Sequence, residues 1–400
     1  MAKPVIRLKG FEGEWQDNVL GNLCSVNRGV RVTRKELDIT GSYPVYQNTD
    51  YPMGFYNRYN VKGNNPFVII GGSAGLIGFS ENDFWAADDC AYFSDNEEIN
   101  KTFLYYTLLK QNSIIKNSVR GSSVPRLDRK VLVNLKISLP PINEQQAIAD
   151  YFKSLDKMIQ GATKKIESLK KMKSASLISM FPQAGETTPR VRFKGFEGEW
   201  ERRSFEDVFS FLKNNSLSRA ELDNQGDVMN VHYGDILIKF GNLIDLNKDE
   251  LPYIKNRLLA KDLAKRCKLV NGDVIFADAA EDNTVGKCAE IVSVGERDVV
   301  SGLHTIPCRA NYKFSEGFLG YCLNASSFHN QLLPLIQGTK ISSISKTSLR
   351  LTYILYPTSL IEQQQIALFF RSLDSQVSMQ EARLVKLKQI KSACLDKMFI

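Results

Sequence analysis

The sequence EQQAIADYFKSLD at residues 144–156 returns as EQQQIALFFRSLD at residues 362–374, at an offset of 218. A shorter stretch precedes each copy: RLKGFEGEW at residues 7–15 returns as RFKGFEGEW at residues 192–200, with eight of nine positions identical at an offset of 185. Because internal repeats dictate the architecture of a chain, these four stretches predict a scaffold that is built twice.

The segments between the repeated stretches differ from each other. Residues 16–143, the first variable segment, and residues 201–361, the second variable segment, show no similar match. Both mix strand-like and helical stretches with glycine-rich turns, for example at residues 66–70, 101–110, 235–240 and 273–277. We therefore expect two compact α/β domains with different contents, which perform one kind of task on two different targets.

Each Glu-Gln-Gln opens a stretch in which apolar residues alternate at spacings of four and three, the period of a coiled-coil seam. The predicted seam residues are Ile148, Phe152, Leu155, Ile159, Ile166 and Leu169 in the first copy, and Ile366, Phe370, Leu373, Val377, Leu384 and Leu387 in the second. Each helix would have roughly 38 residues and a length of about 55 Å. Two amphipathic helices packed separately on their own domains are the alternative, but the matching register favours an antiparallel pair.

The predicted fold is therefore α+β. It has two compact α/β domains separated by two long helices that form an antiparallel coiled coil, with an internal pseudo-twofold repeat.

The composition is that of a globular protein. Of the 400 residues, 43% are hydrophobic and 24% are charged, so disorder is not expected. Apolar runs such as residues 67–70 are too short to span a membrane, and residues 1–10 contain no apolar signal core.

The seven cysteines form no C-x-x-C pair and there are only three histidines, so we expect reduced cysteines, a cytoplasmic location and no metal site. The net charge of +8 permits nucleic-acid binding without requiring it.

These repeats carry a family resemblance that covers essentially the whole chain. The two GFEGEW stretches, the sequence LPPINEQQAIADYFKSLD at residues 139–156 and the two-cycle order resemble the specificity subunit (HsdS) of a type I restriction-modification system. The second copy departs slightly, because residues 356–359 read YPTS where the first copy has a pair of prolines.

The resemblance implies a division of the chain into five parts. They are a first target-recognition domain at residues 1–143, a central spacer helix at 144–181, a linker with the repeated lead-in at 182–200, a second target-recognition domain at 201–361 and a C-terminal spacer helix at 362–400. Each domain would read one half of an asymmetric bipartite site in double-stranded DNA, and the helices would fix the spacing of the halves.

The resemblance also implies partners. Two modification (methyltransferase) subunits and two restriction subunits, the latter ATP-dependent translocases and nucleases, would assemble on the chain. S-adenosylmethionine, ATP and Mg²⁺ would serve those partners, and this chain itself would bind no cofactor and catalyse no reaction.

Candidate DNA-binding residues follow from side-chain chemistry. Arginine binds guanine bidentately, lysine contacts phosphates, glutamine and asparagine read adenine, and glycine admits a close backbone approach. The candidates are Arg28, Arg31, Arg34, Lys35, Gln47, Asn48, Gly72, Ser73, Arg120, Arg126, Lys239, Arg309 and Lys340, with His304 a weaker one. Each is also compatible with an exposed side chain that makes no contact, so the sequence assigns no bases to them.

Several short motifs invite a catalytic interpretation that their details do not support. Residues 64–67 read NNPF and lack the second proline of an adenine-methyltransferase tetrad, while residues 71–78 and 286–288 fit no phosphate-binding pattern. Asp278, Glu281 and Asp282 are scattered carboxylates of a common kind. Two alternatives to a specificity subunit remain: a self-sufficient DNA nuclease or methyltransferase with two recognition domains, and a coiled-coil adaptor that binds DNA without sequence preference.

Overall fold

The computed structural model describes residues 3–338 and 340–400. The chain forms two compact units: the first unit comprises residues 1–164 and 380–400, and the second unit comprises residues 165–379. Among the described residues, no helix is both long enough and apolar enough to cross a lipid bilayer.

The first variable segment contains nine strands and four short helices among its described residues. The strands are β1 (Gln16–Val19), β2 (Val26–Arg28), β3 (Tyr43–Tyr46), β4 (Gly54–Tyr56), β5 (Asn65–Ile69), β6 (Ile77–Ser80), β7 (Trp85–Ala86), β8 (Cys90–Phe93) and β9 (Lys136–Leu139). The helices are α1 (Leu20–Leu23), α2 (Lys101–Lys110), α3 (Asn112–Asn117) and α4 (Arg129–Val133), with a 3₁₀ turn at Arg34–Glu36, and the long helix α5 (Ile142–Ser179) follows.

The second variable segment has more elements of the same kinds. Its strands are β10 (Glu201–Ser204), β11 (Phe209–Phe211), β12 (Leu222–Asp223), β13 (Val228–Val231), β14 (Leu243–Asp245), β15 (Tyr253–Ile254), β16 (Val274–Ala277), β17 (Ala279–Ala280), β18 (Cys288–Val292), β19 (Asp298–Ser301), β20 (Thr305–Ala310), β21 (Ser342–Ser343) and β22 (Tyr353–Tyr356). Its helices are α6 (Phe205–Val208), α7 (Tyr233–Ile238), α8 (Arg257–Cys267), α9 (Phe318–Cys322), α10 (Ser326–Leu332) and α11 (Lys346–Arg350), with 3₁₀ turns at Arg219–Glu221 and Leu333–Leu335, and the long helix α12 (Leu360–Met398) follows.

A buried central strand organises each variable segment. In the first, β5 lies between β6 and β8 in the antiparallel sheet β2-β8-β5-β6, beside a smaller sheet β4-β3-β7. In the second, β16 lies between β18 and β20 in the sheet β11-β20-β16-β18-β14, beside a sheet β12-β15-β13-β19. Every residue of β5 and β16 is buried, because both strands, which are apolar except for Asn65, have core residues packed on both faces.

The two ends of each variable segment lie side by side. β1 pairs with β9 in an antiparallel ribbon that sets Gln16 opposite Leu139. β10 pairs with β22 in the same way and sets Glu201 opposite Tyr356. Each variable segment therefore leaves and re-enters the repeated scaffold at one place, next to the start of a long helix.

The two repeated motifs contact each other within each unit. Arg7 donates from Nε and Nη2 to the two carboxylate oxygens of Glu144 at 2.7 and 2.6 Å, and Arg192 does the same to Glu362 at 2.7 and 2.9 Å. The side chains of both glutamates are almost fully buried, at 1% and 2% exposure. Because removal of either partner would leave an uncompensated charge in the interior, these pairs explain why both motifs repeat together.

In the first unit, the beginning of α5 packs against the end of α12. The Tyr151 hydroxyl lies 3.3 Å from the Cys394 sulfur, and Lys391 donates to Asp156 at 2.5 Å. The residue numbers rise along α5 while they fall along α12, so the two helices run antiparallel. Asp156 also accepts a hydrogen bond from the Tyr106 hydroxyl at 2.8 Å, which ties the helix pair to α2.

The second unit repeats this arrangement with the other halves of the helices. Lys173 donates to Asp374 at 2.5 Å, and the Tyr321 hydroxyl donates to the same carboxylate at 2.8 Å. Each long helix therefore continues from one unit into the other, and each unit contains part of both. The predicted fold class, with two α/β domains and an antiparallel coiled coil, is confirmed.

Most of the predicted seam residues are buried. Ile148, Phe152, Leu155, Ile166, Leu169, Ile366, Phe370, Leu373 and Leu387 are at most 9% exposed, and Ile159, Val377 and Leu384 are partly buried against the cores. The two Met-Phe pairs that follow in sequence are also buried. Phe399 packs edge-on against Trp15 in the first unit, and Phe181 packs edge-on against Trp200 in the second.

The four quoted stretches of the variable segments form both strands and helices. Residues 66–70, 101–110 and 273–277 largely form β5, α2 and β16, and much of the stretch 235–240 lies in helix α7. His232 starts this helix by accepting a hydrogen bond from the backbone N–H of Gly234.

Candidate nucleic-acid interface

In the first unit, several predicted residues meet where β5 ends. The backbones of Arg120 and Arg126 exchange hydrogen bonds of 2.9 and 2.8 Å, which close a short hairpin at residues 120–126. The N–H of Gly72 donates to the carbonyl of Pro125 at 3.1 Å, so the glycine-rich turn lies against this hairpin.

Gly72 also brings Asn48 into the group. It has a left-handed backbone (φ +78°), and a Cβ added there would come 3.0 Å from the Cβ of Asn48. Asn48 and Ser73 are exposed beside it, while Gln47 is partly buried. The position suits glycine for two reasons, the backbone conformation and the close approach of a neighbouring polar side chain.

Two of the arginines are held by acidic residues that are not among the predicted DNA-binding residues. Arg126 Nη1 lies 3.4 Å from Asp89 Oδ1, and Arg28 Nη2 lies 3.7 Å from Asp88 Oδ2. Arg28 also donates from Nε to the carbonyl of Asp88 at 2.6 Å. The turn before β8 therefore positions one arginine of the hairpin and one of β2 at the same end of the sheet.

The remaining basic candidates of the first unit are exposed. Arg31, Arg34 and Lys35 lie on the loop and the 3₁₀ turn that follow β2. The Arg120 side chain is exposed and donates to the carbonyls of Asn117 and Val119.

In the second unit, the basic candidates are dispersed. Lys340 is exposed on the hairpin closed by backbone hydrogen bonds between Gln337 and Ser343. Lys239 lies at the end of α7, where its ammonium group donates to the carbonyl of Glu250 and lies over the ring of Phe240. Arg309 binds the buried Asp273 through two hydrogen bonds of 2.8 and 2.7 Å, so much of its hydrogen-bonding capacity is used inside the domain.

A histidine–aspartate pair occupies the end of β16. His304 Nδ1 lies 3.1 Å from Asp278 Oδ1, and the His304 ring packs edge-on against Tyr233 at a centroid distance of 5.2 Å. Burial raises the pKa of Asp278, and the adjacent His304 opposes that shift. His304 has a left-handed backbone (φ +55°), a conformation that residues other than glycine rarely adopt.

His304 borders a cavity of about 520 Å³. Its walls combine apolar and acidic side chains, among them Tyr233, Leu237, Ile238, Glu281, Asp282 and His304. The hydroxyl and the backbone N–H of Thr284 both donate to Asp282 and lower the pKa of its carboxyl, which therefore carries a negative charge and acts as a hydrogen-bond acceptor.

Asp89 is not among the residues predicted from the sequence, and Asp278 appears there only as part of a group of scattered carboxylates. Their proximity to Arg126 and His304 depends on which turn lies beside the end of the central strand. No spacing in the sequence predicts that contact, because the interacting residues are 37 and 26 positions apart. Among the described residues, no group of three or more histidines, cysteines, aspartates and glutamates is arranged to hold a metal ion.

Comparison with known proteins identifies a family on both halves of the chain. A family model described as the type I restriction modification DNA specificity domain matches residues 12–171 and again residues 197–389. The two matches together cover most of the chain. Each match contains one variable segment and most of the long helix that follows it.

Two relatives and two solved structures resemble the chain over most of its length. A putative type I specificity subunit of Mycoplasma pneumoniae is 24% identical over 86% of this chain and 85% of its own length. The type I restriction enzyme MjaVIII specificity subunit of Methanocaldococcus jannaschii is 21% identical over 96% and 91%. The crystal structure of a type I S subunit from M. genitalium has a TM-score of 0.68 at 16% identity and covers 100% of this chain and 99% of that one. A chain from a study of complex assembly and conformational transition in the type I R-M system has a TM-score of 0.53 at 16% identity, with coverage of 98% and 99%. The two structures support the fold.

Proposed function

The chain belongs to the family of type I restriction-modification DNA specificity subunits, non-catalytic components of their complexes, and from this membership we propose that it recognises an asymmetric bipartite DNA sequence. Each variable segment binds one half-site. The half-sites differ in sequence because the two segments present different side chains from comparable scaffolds.

One observation carries this proposal. Each variable segment is an insertion in the repeated scaffold, and its two end strands pair with each other, β1 with β9 and β10 with β22. Next to each pair of strands, a repeated arginine–glutamate ion pair connects the lead-in to the long helix. The repeated part is thus common to the two units, and the parts that differ project polar and charged residues from the ends of their central strands. This is the arrangement expected when a common framework carries two separate readers.

The proposed complex extends beyond this chain. We propose that two modification subunits and two restriction subunits assemble on it in the cytoplasm. S-adenosylmethionine, ATP and Mg²⁺ would be used by those subunits. The long helices, which belong to both units, are proposed to set the spacing between the half-sites.

Modified-base sequencing tests this function directly. The full chain is expressed with its neighbouring methyltransferase subunit in cells, and the DNA is compared with that of cells expressing the methyltransferase alone. We expect a split, asymmetric motif that is methylated on adenine only when the chain is present.

Two results would contradict the proposal. Methylation that does not depend on the chain, with both proteins expressed and the methyltransferase active, would eliminate a role in target selection. DNA binding by the assembled complex without sequence preference, and with affinity that falls steeply with salt, would favour the adaptor alternative.

A further inference from the structure

The ends of the two central strands share one backbone framework although their sequences do not match. After β5, the N–H of Ile70 donates to the carbonyl of Asp89 at 2.8 Å, and the carbonyl of Ile70 accepts from Leu127 at 2.9 Å. After β16, the N–H of Asp278 donates to the carbonyl of His304 at 3.1 Å, and the carbonyl of Asp278 accepts from Ile344 at 2.9 Å. Ile70 is therefore equivalent to Asp278, and Asp89 is equivalent to His304.

The adjoining hairpins extend this equivalence. Arg120 and Arg126 bond to each other through their backbones in the first unit, as Gln337 and Ser343 do in the second. Gly71 lies opposite Arg126, and Ala279 lies opposite Ser343. Three chain segments thus meet in the same way in both units: the end of the central strand, the turn before the next strand of the sheet and a hairpin near the end of the variable segment.

Different side chains occupy the equivalent positions, and each set makes one acid–base pair. In the first unit, the acid is on the turn and the base is on the hairpin, giving Asp89–Arg126 at 3.4 Å. In the second unit, the base is on the turn and the acid is on the strand end, giving His304–Asp278 at 3.1 Å. Both bases are substantially exposed, with 62% exposure for the Arg126 side chain and 50% for that of His304.

Local features hold each pair in place. A Cβ at Gly71 would lie 2.2 Å from the Asp89 carboxylate, so the glycine leaves the space that this carboxylate occupies. In the second unit, His304 keeps its unusual left-handed backbone while Asp278 and Tyr233 contact its ring. Rarely adopted backbone conformations of this kind concentrate at binding sites, where the surrounding structure maintains them.

We propose, on the basis of the function proposed above, that Arg126 and His304 are base-selecting residues of the two half-sites, with Asp89 and Asp278 as their positioning residues. Arg126 uses the N–H groups that Asp89 does not engage to bind the O6 and N7 of a guanine in the major groove. The carboxylate of Asp278 accepts the Nδ1–H of His304, which leaves Nε2 as an acceptor for the exocyclic amino group of an adenine or cytosine. The same framework thereby selects a different kind of base in each half-site.

Single substitutions in the full chain test this assignment. Arg126→Ala, Arg126→Lys and His304→Ala are each expressed with the neighbouring methyltransferase subunit, and the methylated motif is determined by modified-base sequencing. We expect Arg126→Ala to lower the preference for guanine at one position of one half-site by about 5- to 100-fold. Arg126→Lys should lose the same preference although it keeps the charge, because lysine lacks the bidentate fork. His304→Ala should relax one position in the other half-site and leave the first half-site unchanged.

The two units control for each other, and Arg190→Ala provides an additional control. Arg190 is exposed in the linker between the long helix and the second lead-in. Among the contacts described, its ion-pair partner is Glu186, four residues earlier in the same linker. This variant should methylate the wild-type motif. Co-purification with the methyltransferase subunit establishes that each variant folds and assembles.

The assignment is wrong if Arg126→Ala and His304→Ala methylate the unaltered motif, if both relax the same half-site, or if assembled variants lose methylation uniformly with no change of preference. Failure of the proposed function gives a different result, since the wild-type chain itself would then not determine a motif.

Discussion

At the scale of single residues, buried charges identify the parts of the scaffold that the two units share. Arg7–Glu144 and Arg192–Glu362 connect each lead-in to the start of a long helix, and both carboxylates are inaccessible to water. Removing one member of such a pair leaves an uncompensated buried charge, which is more costly than the pair itself is stabilising. This constraint accounts for two motifs that are far apart in sequence and yet repeat together.

Glu290 is a buried acid in the second unit's variable segment. It is 1% exposed, and its two carboxylate oxygens accept the N–H groups of Gly317 and Gly320 at 2.6 and 2.9 Å, at the start of α9. Burial raises the pKa of Glu290 from its ordinary value of 4.5 to about 7, although the two N–H groups oppose the shift. The folded protein therefore binds a proton more tightly at this site than the unfolded chain does.

This shift predicts a loss of stability with rising pH. The contribution of protonated Glu290 is complete below about pH 4.5 and disappears as the pH rises through about 7. Between pH 5 and pH 8, the second unit should lose about 2–3 kcal/mol of unfolding free energy from this group. Glu290→Gln cannot ionise, so its stability should depend less on pH by that amount.

Urea unfolding of the wild type and the variant at both pH values measures the difference. Glu296→Gln, an exposed glutamate on the loop before β19, is the matched control and should retain the wild-type pH dependence. Equal pH dependence of Glu290→Gln and the wild type would show that Glu290 is ionised throughout this range or does not contribute.

The sequence predicts residues of the scaffold better than residues of the interface. Leu155 and Leu373 are buried as predicted, because the burial of a seam residue follows from the local period of apolar residues. The chemistry of its side chain makes Arg126 a candidate, but no local pattern in the sequence indicates its partner Asp89, because an acid that pairs with a base distant in sequence has no distinctive neighbours. His304 was only a weak candidate, since its pairing with Asp278 depends on a strand end and a turn that the sequence does not place together.

At the scale of elements, each long helix consists of two halves with different surroundings. The beginning of α5 and the end of α12 complete the core of the first unit, while the end of α5 and the beginning of α12 complete that of the second. The corresponding aspartates, Asp156 and Asp374, each accept a hydrogen bond from a lysine of the opposite long helix and one from a tyrosine of a short helix in the same unit. The lysines, Lys173 and Lys391, are themselves equivalent at the offset of 218.

Aspartate at a seam position should therefore disturb both helices within one unit. Leu155 is 4% exposed in the first unit's core, and losing its packing costs about 2–5 kcal/mol before the penalty for a buried carboxylate is added. In Leu155→Asp, hydrogen–deuterium exchange should increase in residues 142–164 and also in residues 380–398. Leu373→Asp should have the corresponding effect in the second unit, and the double variant should fail to assemble.

Ser154→Asp and Ser372→Asp are the matched controls, because both serines are exposed and each precedes its leucine. They should leave exchange in both helices unchanged. An increase confined to residues 142–164 in Leu155→Asp would contradict the antiparallel pairing, because the end of α12 would then be protected by something other than α5.

The pattern of apolar residues was sufficient for the long helices but not for the short elements. A regular spacing over about ten turns identifies a helix whatever surrounds it. Residues 235–240 lack such a repeat, and a capping contact from His232 contributes to a helix there. The sheets of the second variable segment depend on pairings between distant strands, such as β13 with β19, which local sequence does not specify.

At the scale of the whole molecule, the variable segments have the form of exchangeable inserts. The first is bounded by the paired strands β1 and β9, and the second by β10 and β22. We therefore expect that an insert can be replaced without moving the ends of the scaffold. If each variable segment reads its half-site independently, the identity of the insert alone should determine the half-site. Two copies of the first insert should then produce a symmetric target.

The most direct measurement is the methylated motif specified by a chain in which residues 201–356 are replaced by a copy of residues 16–139. This variant is expressed with the neighbouring methyltransferase subunit, and its assembly is verified by co-purification. We predict that the half-site of the first variable segment occurs twice, as an inverted repeat, and that the half-site of the second disappears. An assembled complex that still methylates the original asymmetric motif would contradict the account, since recognition would then not reside in two independent variable segments.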